Sequence, residues 1–315
     1  MTMTTAQLDR AVGVLLGTAA GDALGAAYEF GPPRGPELEV AMVRGGGFGW
    51  EPGEWTDDTS MAIAIAEVAA TGADLCEEKA LDALARRWYK WSQHAKDVGV
   101  QTRSVLSHAG RHGISAQTAR HESAALHKTT GRTAGNGSLM RTAPVALAYL
   151  DNEEALVEAA RAMSELTHWD PETGDACVLW CLAIRHAVLT GELDVRIGLR
   201  HIDADRRDLW ASRLELAEKS QPSDFRNNGW VVEALQAAWS AITTTPVPTD
   251  DPATGIFRAD HLRLALDAAV HGGYDTDTVA AIAGGLLGAV YGARRFPRSG
   301  VACCTAGPGL EPGIW

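Results

Sequence analysis

Two acidic stretches that precede apolar helical segments constrain the fold of this chain more than any other feature. The first, 55–61 (WTDDTSM), precedes the apolar run 62–70, and the second, 272–278 (GGYDTDT), precedes 279–290. The first stretch can be interpreted as an ordinary N-cap, in which Thr, Asp and Ser oxygens accept hydrogen bonds from free backbone N–H groups. It can also be half of a site for a hard cation, since Mg²⁺ and Ca²⁺ prefer carboxylate and hydroxyl oxygens.

The recurrence of the pattern late in the chain favours the cation site. If the two helix N-termini converge, four carboxylates share one pocket, namely those of Asp57, Asp58, Asp275 and Asp277. Carboxylates that lie so close repel one another unless cations separate them. The sequence therefore predicts a fold that brings the two stretches together around a pair of metal ions.

Helical patterns follow one another along the chain, and no run of alternating β-branched residues is long enough to predict a sheet. The pattern weakens over residues 94–137, where we expect the five His to be surface or loop residues. Gly17, Gly21 and Gly25 recur on one face of the first helical segment, which predicts close packing against another helix. Residues 31–54 are rich in Gly and Pro and are predicted to form a loop. Because no linker divides the sequence, we expect one all-α domain over residues 1–315.

Charge and cysteine content bound the partners and the compartment. A formal net charge of -12 argues against a nucleic-acid backbone as the main partner. Five Cys without a metal-type CxxC spacing indicate reduced thiols in a cytoplasmic protein. The apolar run 11–27 is interrupted by Asp22 and lacks both the basic start of a signal peptide and the length of a membrane span, so we expect neither. The sequence leaves the oligomeric state open, with a monomer favoured.

A glycine-rich segment, 135–141 (GNGSLMR), is a candidate for binding an anion. Small residues with free backbone N–H groups lead into a helix start and end at Arg141, a pattern typical of a phosphate cradle. A tight turn without a ligand explains a single segment of this kind equally well. His168 and Asp170, just before another helix, either face a pocket or serve the structure alone.

Taken in order, these motifs resemble the ADP-ribosylglycohydrolase family over nearly the whole chain. The residues that carry the resemblance are Gly21-Asp22-Ala23-Leu24-Gly25 with Glu29, Thr56-Asp57-Asp58-Thr59, Gly135-Asn136-Gly137-Ser138 with Met140-Arg141, and Asp275-Thr276-Asp277-Thr278. The resemblance implies a single orthogonal all-α domain with a binuclear metal site, holding two Mg²⁺ or Mn²⁺ ions, at converging helix N-termini.

The resemblance also implies roles for individual residues. The implied metal ligands are Thr56, Asp57, Asp58, Asp275, Asp277 and Thr278. Glu29 corresponds to an acidic residue near the metals, a candidate general base or gate, and acts with Asp57, Asp58 and Asp277 in catalysis. The implied substrate-binding residues are Gly135, Asn136, Gly137, Ser138, Met140, His168 and Trp230, the last packing on adenine. Tyr274 departs from the family pattern, because it stands between Gly273 and Asp275.

The implied reaction is hydrolysis of the glycosidic bond between the distal ribose of ADP-ribose and an acceptor on a protein or small molecule. A nucleic acid is then expected only as an ADP-ribosylated substrate. Two alternatives stay open. One is a member that binds ADP-ribose or a related nucleotide without hydrolysing it. The other is a Mg²⁺-dependent phosphohydrolase of the haloacid dehalogenase type, which would need a buried strand before Asp275.

Overall fold

Twelve α-helices form within residues 2–296, the part of the chain that the computed structural model describes. They are α1 (Thr5–Gly25), α2 (Asp57–Ala70), α3 (Glu78–Ser92), α4 (Val100–Arg111), α5 (Ala116–Thr130), α6 (Ala143–Ala148), α7 (Glu153–Glu165), α8 (Pro171–Thr190), α9 (Ala204–Lys219), α10 (Val231–Thr244), α11 (Asp260–His271) and α12 (Thr276–Tyr291). Only isolated β-bridges occur in this range. The all-α prediction is confirmed, and the strand that a phosphohydrolase would need before Asp275 is absent from the described residues, where α11 ends instead.

The glycine stripe of α1 packs directly on α12. A Cβ atom on Gly17 would lie 2.0 Å from the carbonyl oxygen of Gly284, and one on Gly21 would lie 2.1 Å from that of Ala280. At the end of α1, a Cβ on Gly25 would lie 2.4 Å from Cα of Asp277. The predicted close packing is confirmed, and it places the end of α1 at the start of α12.

The first helical segment extends beyond the apolar run 11–27. Together with a one-turn 3₁₀ helix it runs over Thr5–Tyr28, 24 residues, which by length and composition suffices to cross a membrane. The expectation that this segment is too short was therefore wrong. Its most apolar window is 67% buried within the fold, so its apolar surface packs against other parts of the same chain.

Residues 94–137, where the sequence pattern is weak, contain two helices, α4 and α5. Helix α5 begins at a capping box formed by Ser115 and Thr118 and ends at Gly131, whose φ of 60° is left-handed. The polar composition of α4 and α5 weakens the helical pattern in the sequence, because each helix buries only a narrow apolar face. Four of the five His in this region are exposed, as expected.

An ion cluster around the buried carboxylate of Asp175 holds α8 in the centre of the fold. Asp175 is fully buried and accepts hydrogen bonds from the guanidinium groups of Arg161 and Arg206 and from Nε1 of Trp210. Helix α8 also carries Cys177 and Cys181, which are free and buried, whereas Cys303 and Cys304 lie outside the described residues. Because α8 packs against both α12 and α7, this cluster fixes the frame around the acidic stretches.

Candidate active site

The cap of helix α2 comes from a distant residue and not from the acidic stretch itself. Both carboxylate oxygens of Asp22, on α1, accept backbone hydrogen bonds at 2.9 Å, one from N–H of Thr56 and one from N–H of Thr59. Asp22 is fully buried. The N-cap interpretation of 55–61 is therefore wrong: the capping carboxylate is supplied by α1, which frees Asp57 and Asp58 for other roles.

The two acidic stretches meet, as the sequence predicted. The hydroxyl of Thr278 donates to Oδ2 of Asp58 at 3.4 Å, and the hydroxyl of Thr56 donates to the same oxygen at 3.2 Å. Carboxylate oxygens of Glu29, Asp275 and Asp277 lie within 4.8 Å of one another. Segments at the end of α1 and the starts of α2 and α12 thus contribute to one cluster.

Two oxygens of this cluster are buried without a hydrogen-bond donor among the described residues, Oε2 of Glu29 and Oδ1 of Asp58. A buried carboxylate oxygen without a partner is costly, and a nearby cation removes that cost. Carboxylates and hydroxyls are also the donors that Mg²⁺ and Mn²⁺ prefer. The residues present therefore fit a hard divalent cation.

Burial and mutual repulsion raise the pKa of three carboxyl groups of the cluster, those of Glu29, Asp58 and Asp277. Burial, followed by the charges of Asp275 and other carboxylates, raises the pKa of Glu29 to about 9. Burial and neighbouring carboxylates raise the pKa values of Asp58 and Asp277 well above the usual range. Without cations these groups favour protonation, so cations and protons compete for the same site.

Asp97 joins the cluster, which the sequence analysis did not anticipate. Burial and the charge of Asp57 raise its pKa to about 7, so this carboxyl group exchanges its proton near neutral pH. Asp57 is held by the backbone N–H of Gly99, at 3.1 Å, in the loop that carries Asp97. Beside them lies a cavity of about 390 Å³ that is lined by both carboxylates and by Trp50 and Trp91.

Two asparagines orient Asp275. The side-chain amide of Asn136 donates to Oδ2 of Asp275 at 2.7 Å and to the carbonyl of Asn228 at 2.9 Å. The side-chain oxygen of Asn228 accepts from the backbone N–H of Asp275 at 3.0 Å. Asn136, predicted to bind substrate, thus uses both amide protons to position a predicted metal ligand. Asn228 was missed, although its place in an Asn-Asn-Gly turn signals side-chain to backbone hydrogen bonding.

The glycines of 135–137 make room for His168. A Cβ on Gly137 would lie 3.0 Å from Cε1 of the imidazole, and one on Gly135 would lie 3.4 Å from Nε2. The segment does form a turn, the 3₁₀ helix Asn136–Ser138, but neither glycine has a positive φ, so the turn itself does not require glycine there. His168 itself is buried, 2% exposed, and faces this loop.

Three other predicted residues of this segment point into the protein. The hydroxyl of Ser138 accepts from the thiol of Cys177, and Sδ of Met140 lies 3.9 Å from the hydroxyl of Thr278, beneath the acidic cluster. Arg141, expected to end a phosphate cradle, is wholly buried in the core and stacks on Trp88. The cradle interpretation is therefore wrong for Arg141, because its guanidinium group has no exposed surface.

Trp230 is joined to the glycine loop by backbone hydrogen bonds on both sides. The N–H of Asn136 donates to the carbonyl of Gly229 at 3.0 Å, and the N–H of Val231 donates to the carbonyl of Ala134 at 2.9 Å. The indole N–H of Trp230 donates to Glu172 at 3.0 Å. The structure thus brings Trp230 and His168 to the same loop, next to the acidic cluster.

The interposed Tyr274 forms two backbone hydrogen bonds with the segment that carries Glu29. Its carbonyl accepts from N–H of Phe30 and its N–H donates to the carbonyl of Gly31, both at 2.6 Å. Tyr274 and Phe30 have left-handed φ values of 63° and 65°, which non-glycine residues adopt at a cost. The departure from the family pattern therefore forms part of the connection between Glu29 and Asp275.

Comparison with known proteins identifies this combination of fold and site. The sequence profile of the ADP-ribosylglycohydrolase family matches residues 3–311. The chain is 31% identical to the ADP-ribosylarginine hydrolase Tri1 of Serratia proteamaculans (strain 568) over 92% of this chain and 74% of that protein. It is 32% identical to the ADP-ribosyl-[dinitrogen reductase] glycohydrolase of Rhodospirillum rubrum over 92% of this chain and 88% of that one.

A solved structure agrees with the sequence comparisons. The fold is similar to a chain of an ADP-ribosylglycohydrolase-related protein complex, with a TM-score of 0.64, 27% sequence identity, and coverage of 96% of this chain and 94% of the other. The helical architecture and the order of the motifs along the sequence agree with these matches. This chain is therefore an enzyme that belongs to the ADP-ribosylglycohydrolase family.

Proposed function

We propose that this enzyme is a metal-dependent hydrolase that cleaves the bond between the distal ribose of ADP-ribose and an arginine side chain of a modified protein. The observation that carries the proposal is the convergence of buried carboxylates from three distant segments, two of whose oxygens have no hydrogen-bond donor among the described residues. Family membership supports the ADP-ribose part of the substrate. The name of the Serratia proteamaculans relative supports arginine as the acceptor.

Six residues would hold two Mg²⁺ or Mn²⁺ ions: Thr56, Asp57, Asp58, Asp275, Asp277 and Thr278. When bound, such ions act as Lewis acids and activate water near neutral pH. Asp22, Asn136 and Asn228 then serve this site indirectly, because they fix the backbone or side chains of the ligands. This support is needed since metal ligands tolerate displacements of only about 0.2 Å.

Glu29 is the proposed acceptor of the proton from the attacking water. Burial and neighbouring carboxylates raise its pKa, and two of those carboxylates, Asp275 and Asp57, are proposed metal ligands, so bound cations would favour its ionised form. The water oxygen forms a bond to the anomeric carbon of the distal ribose. The bond from that carbon to the guanidine nitrogen breaks, and its electron pair leaves with the nitrogen, through an oxocarbenium-like transition state.

The glycine loop and Trp230 would bind the rest of ADP-ribose. The indole of Trp230 is half-buried and is held by Glu172, so one part of its surface is available to stack on a base. Gly135 and Gly137 leave the imidazole of His168 within reach of a ligand on this loop. The location of these residues beside the acidic cluster supports a substrate that extends from the metals to Trp230.

The decisive experiment measures release of free ADP-ribose from arginine-linked, serine-linked, nucleic-acid-linked and O-acetyl conjugates. Each reaction is run with Mg²⁺, with Mn²⁺ and with a chelator. We expect release from the arginine conjugate only when a divalent cation is present. Release from another conjugate would correct the acceptor, and release in chelator would refute the role of the metals.

Two variants test the assignment of residues. Asp57→Ala and Asp277→Ala each remove a proposed ligand from a different helix start, so we expect both to lose bound metal and turnover. Wild-type metal content and rate in either variant would contradict the site assignment. If the wild-type protein bound ADP-ribose but released none from any conjugate, the alternative of a non-hydrolysing binding protein would replace this proposal.

A further inference from the structure

Arg141 is a buried cation that forms no salt bridge with any described residue. Its side chain is wholly buried, and its guanidinium carbon lies 4.0 Å above the ring of Trp88. Burial lowers the pKa of this arginine to about 9. Its shortest hydrogen bond runs from Nη2 to the hydroxyl oxygen of Thr167, at 2.7 Å. The negative charge of Asp57 partly offsets this shift, but no described carboxylate lies within salt-bridge distance of the guanidinium group, whose direct partners include the ring of Trp88 and the hydroxyl of Thr167.

The hydrogen bonds of Thr167 fix the direction of the next contact. An arginine can only donate, so the hydroxyl oxygen of Thr167 accepts from Arg141 and its own proton is available to another acceptor. That hydroxyl lies 2.7 Å from Nδ1 of His168. When Thr167 donates to Nδ1, this nitrogen carries no proton. Burial and the charge of Arg141 lower the pKa of His168 well below its usual range, so the ring is neutral.

In that arrangement the remaining proton of the neutral imidazole is on Nε2, the nitrogen that faces the glycine loop. A Cβ atom on Gly137 would lie 3.1 Å from Nε2, and one on Gly135 would lie 3.4 Å from it. A side chain on either residue would crowd this nitrogen, so the glycines allow the loop to approach it closely. The hydrogen-bonded series of Arg141, Thr167 and His168 thus ends in an N–H group that lies against the glycine loop, on an imidazole that is 2% exposed.

We propose that Arg141 and Thr167 are positioning residues that hold His168 as the neutral tautomer with its proton on Nε2, so that this N–H donates to an oxygen of the bound ADP-ribose. The identity of the ligand rests on the proposed function. The arrangement supplies an N–H donor of fixed direction at the loop. The charge of Arg141 does not contact the ligand, because Thr167 and His168 lie between them.

The first test is a double-mutant cycle on the metal-loaded protein, with the dissociation constant of ADP-ribose measured by calorimetry. Thr167→Val keeps the shape of the side chain and removes the hydroxyl, and we expect binding to weaken about tenfold, as for one hydrogen bond to a charged group. Thr167→Ser keeps the hydroxyl and should stay within about threefold of wild type.

The second arm separates positioning from general stability. In His168→Gln the amide nitrogen takes the place of Nε2, and it carries its protons whether or not residue 167 has a hydroxyl group. Adding Thr167→Val to this variant should therefore change affinity less than about twofold, a non-additivity that a purely structural role of Thr167 would not produce. Equal losses from Thr167→Val in both backgrounds would overturn the proposal.

The tautomer is measured directly in the free wild-type protein, so this arm depends on neither folding of a variant nor substrate. Long-range ¹H–¹⁵N correlation spectra of histidine-labelled protein, with the His168 signal assigned by its loss in His168→Gln, should show the proton on Nε2. A proton on Nδ1 would overturn the proposal while leaving the proposed function intact. If the wild-type protein failed to bind ADP-ribose, the proposed function and the donor role would both fall.

Discussion

Substitution of Gly25 by alanine tests whether the contact between α1 and α12 sets the geometry of the metal site. The new Cβ atom would lie 2.4 Å from Cα and N of Asp277, in backbone that has no flexible end to move away. Since carbon atoms pack at about 3.5 Å, the start of α12 must shift by about 1 Å. Metal ligands tolerate about 0.2 Å, and a misplacement of 1 Å costs roughly 100-fold in rate.

Gly13→Ala is the matched control on the same helix. Its Cβ would lie 2.3 Å from the carbonyl oxygen of Gly288, a clash of similar severity, but about 18 Å further along α1 from Gly25. Both substitutions improve helix propensity by about 1 kcal/mol and both overpack the same interface, at a cost of about 1–3 kcal/mol. The two variants therefore differ mainly in their distance from the site.

The assay measures the melting temperature, Mn²⁺ affinity and release of ADP-ribose for both variants. We expect both to melt at lower temperature than wild type, while only Gly25→Ala loses metal affinity and about 100-fold in turnover. Wild-type metal affinity and rate in Gly25→Ala would refute the reasoning, as would an equal loss of metal in Gly13→Ala. Either result would mean that the site does not depend on the register of this interface.

Three further predictions follow from the charges and rings of the structure. The raised pKa values of Glu29, about 9, and Asp97, about 7, mean that the folded metal-free protein binds more protons than the unfolded chain above pH 4, so its stability falls as pH rises. In chelator the melting temperature should be lower at pH 8 than at pH 6, and Mg²⁺ should restore it. A higher melting temperature at pH 8 than at pH 6 in chelator would contradict the raised pKa values of the cluster. Asp175→Asn removes the carboxylate that two half-buried arginines share and should cost about 1.5–3 kcal/mol in urea unfolding, as for hydrogen bonds to a charged group, whereas a loss below 1 kcal/mol would show that water compensates. Trp230→Ala should raise KM for the conjugate about tenfold with little change in kcat, and Trp230→Phe should have a KM close to that of wild type. Equal KM values for Trp230→Ala and wild type would exclude stacking on the base.

Motifs with strong local signatures could be predicted from the sequence. The acidic stretches at 55–61 and 272–278, the glycine stripe of α1 and the all-α class depend on short-range spacing, and the structure agrees with each. Helices α4 and α5 were not predicted, because their helical period is carried by few apolar residues in a polar background.

Residues whose role depends on distant partners were misjudged or missed. Asp22 looked like an interruption of an apolar helix, yet it caps α2 across 34 residues of sequence. Arg141 looked like the end of an anion-binding loop, yet it lies in the core beside Thr167. No local pattern distinguishes a buried charge from an exposed one, since burial is decided by what packs on it.

The sequence by itself therefore determined the helical class, the chemistry of the donor groups and the resemblance to a family, because these follow from residue type and spacing within single segments. The tertiary structure alone decided that Asp97 joins the predicted carboxylate pocket, which asparagines orient Asp275, and which nitrogen of His168 faces the glycine loop. The physical reason is that charge repulsion, burial and hydrogen-bond direction act between atoms a few ångströms apart, and residues such as Glu29, Asp58 and Asp275 reach that distance only when α1, α2 and α12 pack together.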